Sequence, residues 1–327
     1  MHSLIVAIVA MVVSPLLCAA ESAPLAVEAK IPLGDVQGRI DHLAIDIARQ
    51  RLYVAELGNN TVGVVDLKER KLLRNLTGLD EPQGIAYVPS TDTVYVANAG
   101  DGSVQLFDAD LKSTGRIALG ADADNVRVDT IANRIYVGYG NGALAVLDPS
   151  KRSKIGDIAL KGHPESFQLE SAGQRIFVNV PDAHEIAIVD RGAANQRQSW
   201  PQATLQANFP MALDEPNLRV LVVFRNPAML AAFDTNDGAL MTSTPTCGDS
   251  DDVFVDRKRE RVYVTCGEGF VDIFERRNDA YMRTGHFQTV PGARTSLFVP
   301  DLDLLLVAVR STHQTPATIW VLRPTGA

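Results

Sequence analysis

Positive charge is in short supply in this chain: 31 Lys and Arg stand against 39 Asp and Glu, a formal net charge of −8. A surface of that sign has no general pull toward nucleic acid or anionic lipid, and no basic stripe with stacking aromatics interrupts it. Sustained helical periodicity is absent, which excludes a helical solenoid. The sharper catalytic signatures are missing too. There is no Gly-x-Ser-x-Gly elbow, His-Glu-x-x-His pair, Walker loop or Cys-x-x-Cys-His haem attachment. Gly138 to Gly142 is glycine-rich like a phosphate loop, but it lies at a hairpin and not before a helix. Long apolar runs are confined to the first twenty residues.

That run, Leu4 to Ala20, is broken only by Ser14 and Pro15 and ends in the small-x-small stretch Cys18-Ala19-Ala20. It is short for a membrane span, and Pro15 would kink it. Residues 1–20 are therefore expected to be a cleaved export signal, with an uncleaved anchor or a lipid attachment as the other readings. Residues 21–327 are then the mature chain, periplasmic or extracellular, a monomer with no stable membrane insertion. Of three cysteines, Cys18 leaves with the signal, and Cys247 and Cys266 remain as a disulfide or as two buried thiols.

What the chain has in abundance is repetition. The stretch from Asp41 to Asp66 recurs from Gln83 to Asp108, Asp124 to Asp148 and Glu165 to Asp190, and three weaker copies follow. Aligned positions are Tyr53, Tyr95, Tyr136, Phe177, Leu221, Tyr263 and Leu306, at a spacing of 41 to 44 residues. Each copy alternates short apolar runs with Asn, Gly and Asp, the pattern of strand–turn–strand. Four strands in about 42 residues make a propeller blade. The pattern predicts an all-β, seven-bladed propeller in one domain. Its last copy lacks a fourth strand, and Leu25 to Leu33 has no partner ahead of the first copy. That N-terminal strand is expected to complete the last blade and close the ring.

Through Leu52-Tyr53-Val54-Ala55, Val94-Tyr95-Val96-Ala97-Asn98, the NNTVGVVD and DGSVQLFD hairpins and RVYVTCGEGFVDIF, the chain resembles the YVTN-repeat, YncE-like propellers of bacteria. The resemblance spans the mature chain and departs most in the fifth and seventh copies. It implies the fold and export. It leaves function open, because similar architectures serve as binding scaffolds, lactonase-like proteins, lyases and redox-cofactor domains.

Propeller topology places the residues just before each inner strand around one mouth of the central channel. These are Asp41-His42, Gln83-Gly84, Asp124-Asn125, Glu165-Ser166, Phe209-Pro210, Asp251-Asp252 and Arg294-Thr295. His163, His184 and His313 map to the same face, and His286 to an outer strand. Asp41, His42, Asp124, Asp251 and Asp252 are candidate ligands of a divalent ion, the one cofactor the sequence suggests; the alternative is that each Asp caps backbone N–H groups. His42, Asn125, Glu165, Arg225, Arg294 and Arg310 make up a candidate ligand-binding face. There Arg39, Arg225, Arg294 and Arg310 could fork onto a carboxylate or phosphate, or bridge blades as ion pairs. Cys247 and Cys266 fall on this face of one blade, which favours the bridge. The expected function is an exported scaffold that binds a small ligand, a metal ion or a partner protein at the channel mouth. The alternative is a metal-assisted hydrolase or lyase of lactone-like substrates.

Overall fold

A 42-residue repeat of short apolar runs can bury both faces of its sheet only against copies of itself, and the chain does this. The computed structural model describes residues 23–326, so the expected signal at 1–20 lies outside the described residues. Among the described residues, twenty-eight strands form seven four-stranded antiparallel sheets. Six sheets take four consecutive strands each; the first runs Leu43–Asp46, Arg51–Glu56, Thr61–Asp66 and Lys71–Leu76 from the channel outward.

One aligned position in each second strand shows what holds neighbouring sheets together. The aligned residues Tyr53, Tyr95, Tyr136, Phe177, Leu221, Tyr263 and Leu306 are all buried. Seven apolar clusters lie between neighbouring blades, for example Tyr53, Val64 and Leu76 of the first against Ile85, Val94 and Phe107 of the second. The Asp that ends most repeats has a local task. Asp66, Asp108, Asp148, Asp190 and Asp234 accept backbone N–H bonds of 2.8 to 3.0 Å from the turn into the outer strand.

The seventh blade closes as the sequence predicts. Its inner three strands are Thr295–Val299, Leu304–Val309 and Thr318–Pro324, and Leu25–Pro32 pairs antiparallel with the last of them. The register runs from Leu25 opposite Pro324 to Pro32 opposite Thr318. Leu25, Ile31 and Leu33 are buried, Lys30 lies over the Trp320 ring at 3.7 Å, and Arg323 pairs with Glu28. Cys247 and Cys266 are joined, with Cα atoms 5.8 Å apart, inside the range that a disulfide spans.

One buried group departs from the repeat. Glu56 stands at the end of the first blade's second strand, where the second blade has Asn98 and the fourth has Val180. Gly63 makes room for it, since a Cβ there would lie 2.4 Å from Glu56 Oε1. Thr61 donates to Oε2 at 2.5 Å, but Oε1 has no partner, and burial pushes the carboxyl up to about 7.

Two expectations follow from this packing. Removing residues 1–32 exposes a sheet edge and loses the burial of Leu25 and Ile31, about 4 kcal/mol before any hydrogen bonds are counted. A large fall in melting temperature, read by circular dichroism, is the expected result, and an unchanged melt refutes this closure. Glu56→Gln has the opposite sign. A raised carboxyl value favours folding below the ordinary value of 4.5 and loses that contribution as pH climbs to about 7. The variant should therefore melt higher than the parent above neutral pH, with the gap closing in acid.

Candidate functional site

Backbone geometry at the start of the inner strands decides which side chains reach the channel. The inner strand's ladder shifts register between Pro82 and Ile85, Ala123 and Val126, Asn208 and Met211, and Ser250 and Asp252. The bulged residues are Gln83-Gly84, Asp124-Asn125, Phe209-Pro210 and Asp251. A bulge at a strand end turns side chains out of the sheet's alternation, here toward the axis. In the first and fourth blades, backbone bonds do the positioning instead. Asp41 N–H donates to Ala55 O and Ala55 N–H to His42 O, while Glu165 N–H donates to Asn179 O and Asn179 N–H to Ser166 O. Gly84 allows the close approach of the second blade to the third: a Cβ there would sit 2.0 Å from Asp124 O.

All seven blades meet around one polar cavity of about 260 Å³. Arg39, Asp41 and His42 come from the first blade, Gln83 from the second, Asp122, Asp124 and Asn125 from the third, and His163, Glu165 and Ser166 from the fourth. Phe209 and Arg225 belong to the fifth, Asp251 to the sixth and Arg294 to the seventh. Thus His42, Asn125, Glu165, Arg225 and Arg294 of the expected face share one chamber, while Arg310 stands just outside its lining. A second cavity, of about 490 Å³, lies at the far ends of inner strands of the fourth to seventh blades and mixes Leu169, Leu213, Phe254 and Phe298 with the charged Glu215, Asp256, Arg257, Lys258 and Asp303.

Asp124 is the centre of the chamber. His42 Nε2 lies 3.5 Å from its Oδ1, and His163 Nε2 lies 3.9 Å from its Oδ2. His163 Nδ1 is 2.6 Å from Gly140 O, and a carbonyl only accepts, so Nδ1 carries a proton. Its Nε2 faces a carboxylate as well, which favours the imidazolium form. Burial pushes both imidazoles down, but Asp124 with the neighbouring carboxylates outweighs it and carries each up to about 9. Burial likewise raises Asp124, yet the two histidines win and hold its carboxyl well below the usual range. Glu165 and Asp252 have less cationic support: burial lifts both to about 7, and it lifts Asp41 as well.

The cations divide into paired and unpaired. Arg225 meets Asp251 at 2.6 Å and stacks on Phe209 at 3.9 Å; Arg294 meets Asp249 at 2.7 Å and Asp251 at 3.1 Å. These two are inter-blade bridges, as one reading of the sequence had it. Arg39 pairs with Asp41 at 2.7 Å. Arg310 forms no ion pair or hydrogen bond with any described residue, and its Nη2 is buried without a partner. Burial, then the nearby Arg294 and Arg39, push its guanidinium below the ordinary value.

The capping alternative holds for one aspartate. Asp252 accepts the Ser296 N–H of the next blade at 2.7 Å, whereas Asp41, Asp124 and Asp251 accept no backbone N–H among the described residues. Asn125 is buried, and its Oδ1 also lacks a donor. Among the described residues, no three His, Cys, Asp or Glu side chains are arranged around one point as metal ligands. Asp41, His42, Asp124, Asp251 and Asp252 are instead spread over ion pairs and a cap. His184 sits in the fourth blade's turn, His313 in a surface groove, and His286 on an outer strand against the buried Asp272.

Sequence reasoning missed Arg127, which occupies the inner strand where Ala44, Ala86 and Ala212 stand in other blades. Burial pushes its guanidinium down, and Asp252 and Asp124 oppose that shift. Stricter alignment of the repeats would have exposed the Ala-to-Arg change. Asp249 was missed because it precedes the aligned segment.

No protein-family model matches the chain, and no curated protein matches it. Solved structures share its fold. A chain of Kuenenia stuttgartiensis hydrazine synthase superposes with a TM-score of 0.75 at 14% identity, covering 89% of this chain and 96% of that one. A chain in a crystal structure of the mitotic checkpoint complex reaches 0.77 at 12% identity, covering 99% and 100%. At such identities the likeness is one of fold alone.

The raised groups make a pH prediction with a definite sign. His42 and His163 (about 9 against 6.5), Glu165 (about 7 against 4.5) and Asp252 (about 7 against 3.8) all favour the folded state at low pH. Each contribution is full below the ordinary value and is lost as pH rises through the folded value. Asp124 acts oppositely, but only in acid below 3.8. The melting temperature should fall from about pH 5 to about pH 9. Glu165→Gln with Asp252→Asn should flatten the acid half of that slope, and His42→Gln the alkaline half. A parent whose melting temperature rises across the range contradicts this assignment.

Proposed function

We propose that this chain is a binding module, an exported YncE-like propeller whose channel mouth takes a small polar ligand. The observation that carries the reading is the chamber itself. Side chains from seven blades line it, yet the amide oxygen of buried Asn125 has no donor. A buried acceptor without a partner costs about 1–3 kcal/mol, which a ligand that donates to it returns. Export is supported by the apolar run at Leu4 to Ala20 and by the Cys247–Cys266 pair.

One observation favours a second reading, the metal-assisted hydrolase or lyase. A carboxylate flanked by two imidazoles, Asp124 between His42 and His163, offers oxygen and nitrogen donors to a divalent ion that displaced their protons.

The two readings separate in one experiment on the chain from residue 21 onward. Its melting temperature is followed across small acids, sugars, amino acids and divalent ions, for the parent and for Asn125→Leu. Stabilisation by an organic molecule, lost in Asn125→Leu, is the expected result. Stabilisation by a divalent ion alone, together with opening of a lactone, supports the hydrolase. No response to any compound overturns the small-ligand reading.

A further inference from the structure

The chamber's unpartnered atoms are not randomly distributed. Its walls differ in the kind of hydrogen bond they lack. On the side of the seventh and first blades, Arg39 Nε in the lining and Arg310 Nη2 beside it are buried donors without an acceptor. Arg294 Nε, by contrast, meets Asp251 at 3.1 Å, and Asp41 Oδ2 meets Arg39 Nη2 at 2.7 Å. On the side of the third blade the orphan is an acceptor, Asn125 Oδ1, next to an Asp124 whose Oδ1 has only His42 Nε2, at 3.5 Å. A complementary molecule therefore brings acceptors to one wall and donors to the other.

Charge narrows the choice. Arg225 and Arg294 already hold Asp249 and Asp251, whereas Arg310 has no carboxylate among the described residues. An acid on that wall supplies the missing counter-charge, and guanidinium forks suit a planar carboxylate. At the opposite wall the carboxylate of Asp124 already faces His42 and His163 at 3.5 and 3.9 Å. An ammonium there would crowd two imidazolium rings, so neutral O–H donors fit better than a cation. Size sets the scale, since about 260 Å³ lies below the range of drug-sized pockets.

We propose that the chamber is a site for a small hydroxylated acid, of the size of a sugar acid. Its carboxylate lies toward Arg310 and Arg39 Nε, and its hydroxyls donate to Asn125 and Asp124. The assignment rests on the ligand-binding reading above and names the class of ligand.

Calorimetric titration of the chain from residue 21 onward tests it, with gluconate, glucose, hexanoate, glycine and glucose 6-phosphate as probes. Gluconate is expected to bind, with glucose and hexanoate each weaker by about tenfold or more, because each lacks one half of the complement. Arg310→Met has no protein partner to lose and should keep its fold. It should weaken gluconate about tenfold and leave glucose unchanged, while Arg310→Lys restores part of the loss. Asn125→Leu should bring gluconate down to the level of hexanoate, and Asn125→Ser serves if the larger side chain unfolds the blade. Gluconate no tighter than hexanoate overturns the assignment, as does tighter binding of glycine or of glucose 6-phosphate. So does gluconate binding that both variants leave intact. If gluconate fails but another compound binds and is lost in Asn125→Leu, only the ligand class falls. If nothing binds, the binding reading falls with it.

Discussion

A four-stranded blade with apolar side chains on both faces cannot be stable beside water on either of them. Every other feature of this molecule follows from that constraint. Each face must meet a neighbour, so the blades form a ring, and the ring has no free face only if it closes. Closure draws Leu25–Pro32 across the whole sequence to the outside of the last blade. The ring also fixes the site. Inner strands of seven sheets converge on one axis, and residues distant in sequence, such as Arg39 and Arg294, end up on one wall.

The same convergence creates an electrostatic problem at the channel mouth. Carboxylates from four blades and guanidinium groups from three are brought together where little water can reach. The structure resolves most of it by pairing: Arg225 and Arg294 with Asp251, Arg39 with Asp41, and Asp124 with two imidazoles. What is left unpaired lowers stability and has no packing role to justify it. Asn125 and Arg310 are such groups, and a bound molecule with the complementary donors and acceptors would satisfy both.

The fold was legible because its information is periodic. Seven aligned residues from Tyr53 to Leu306 each fill one interface, so the sequence spacing alone counted the blades. The closing strand was legible as well, from an unpaired apolar segment at one end and a missing strand at the other. Which residues share the channel mouth could also be read, since position in the repeat maps to position around the axis. Its internal pairing could not. Whether Asp252 caps Ser296 while Asp124 faces two histidines depends on bulges and on contacts across blades, and neither leaves a periodic trace. Arg127 shows the limit from the other side: its oddity was present in the alignment, but its reach into the channel is a property of the ring.

The closing strand has a mechanical consequence. Leu25 lies opposite Pro324, so the chain enters and leaves the ring at the same end of one pair of neighbouring strands. Tension applied between the two ends loads the hydrogen bonds nearest those ends first, one after another, as in opening a zipper. It does not shear the ladder as a whole. Resistance to pulling is then set by single backbone bonds and by the small cluster around Leu25, not by the sum of the seven interfaces. Pulled by its two ends, the ring opens at its seam first.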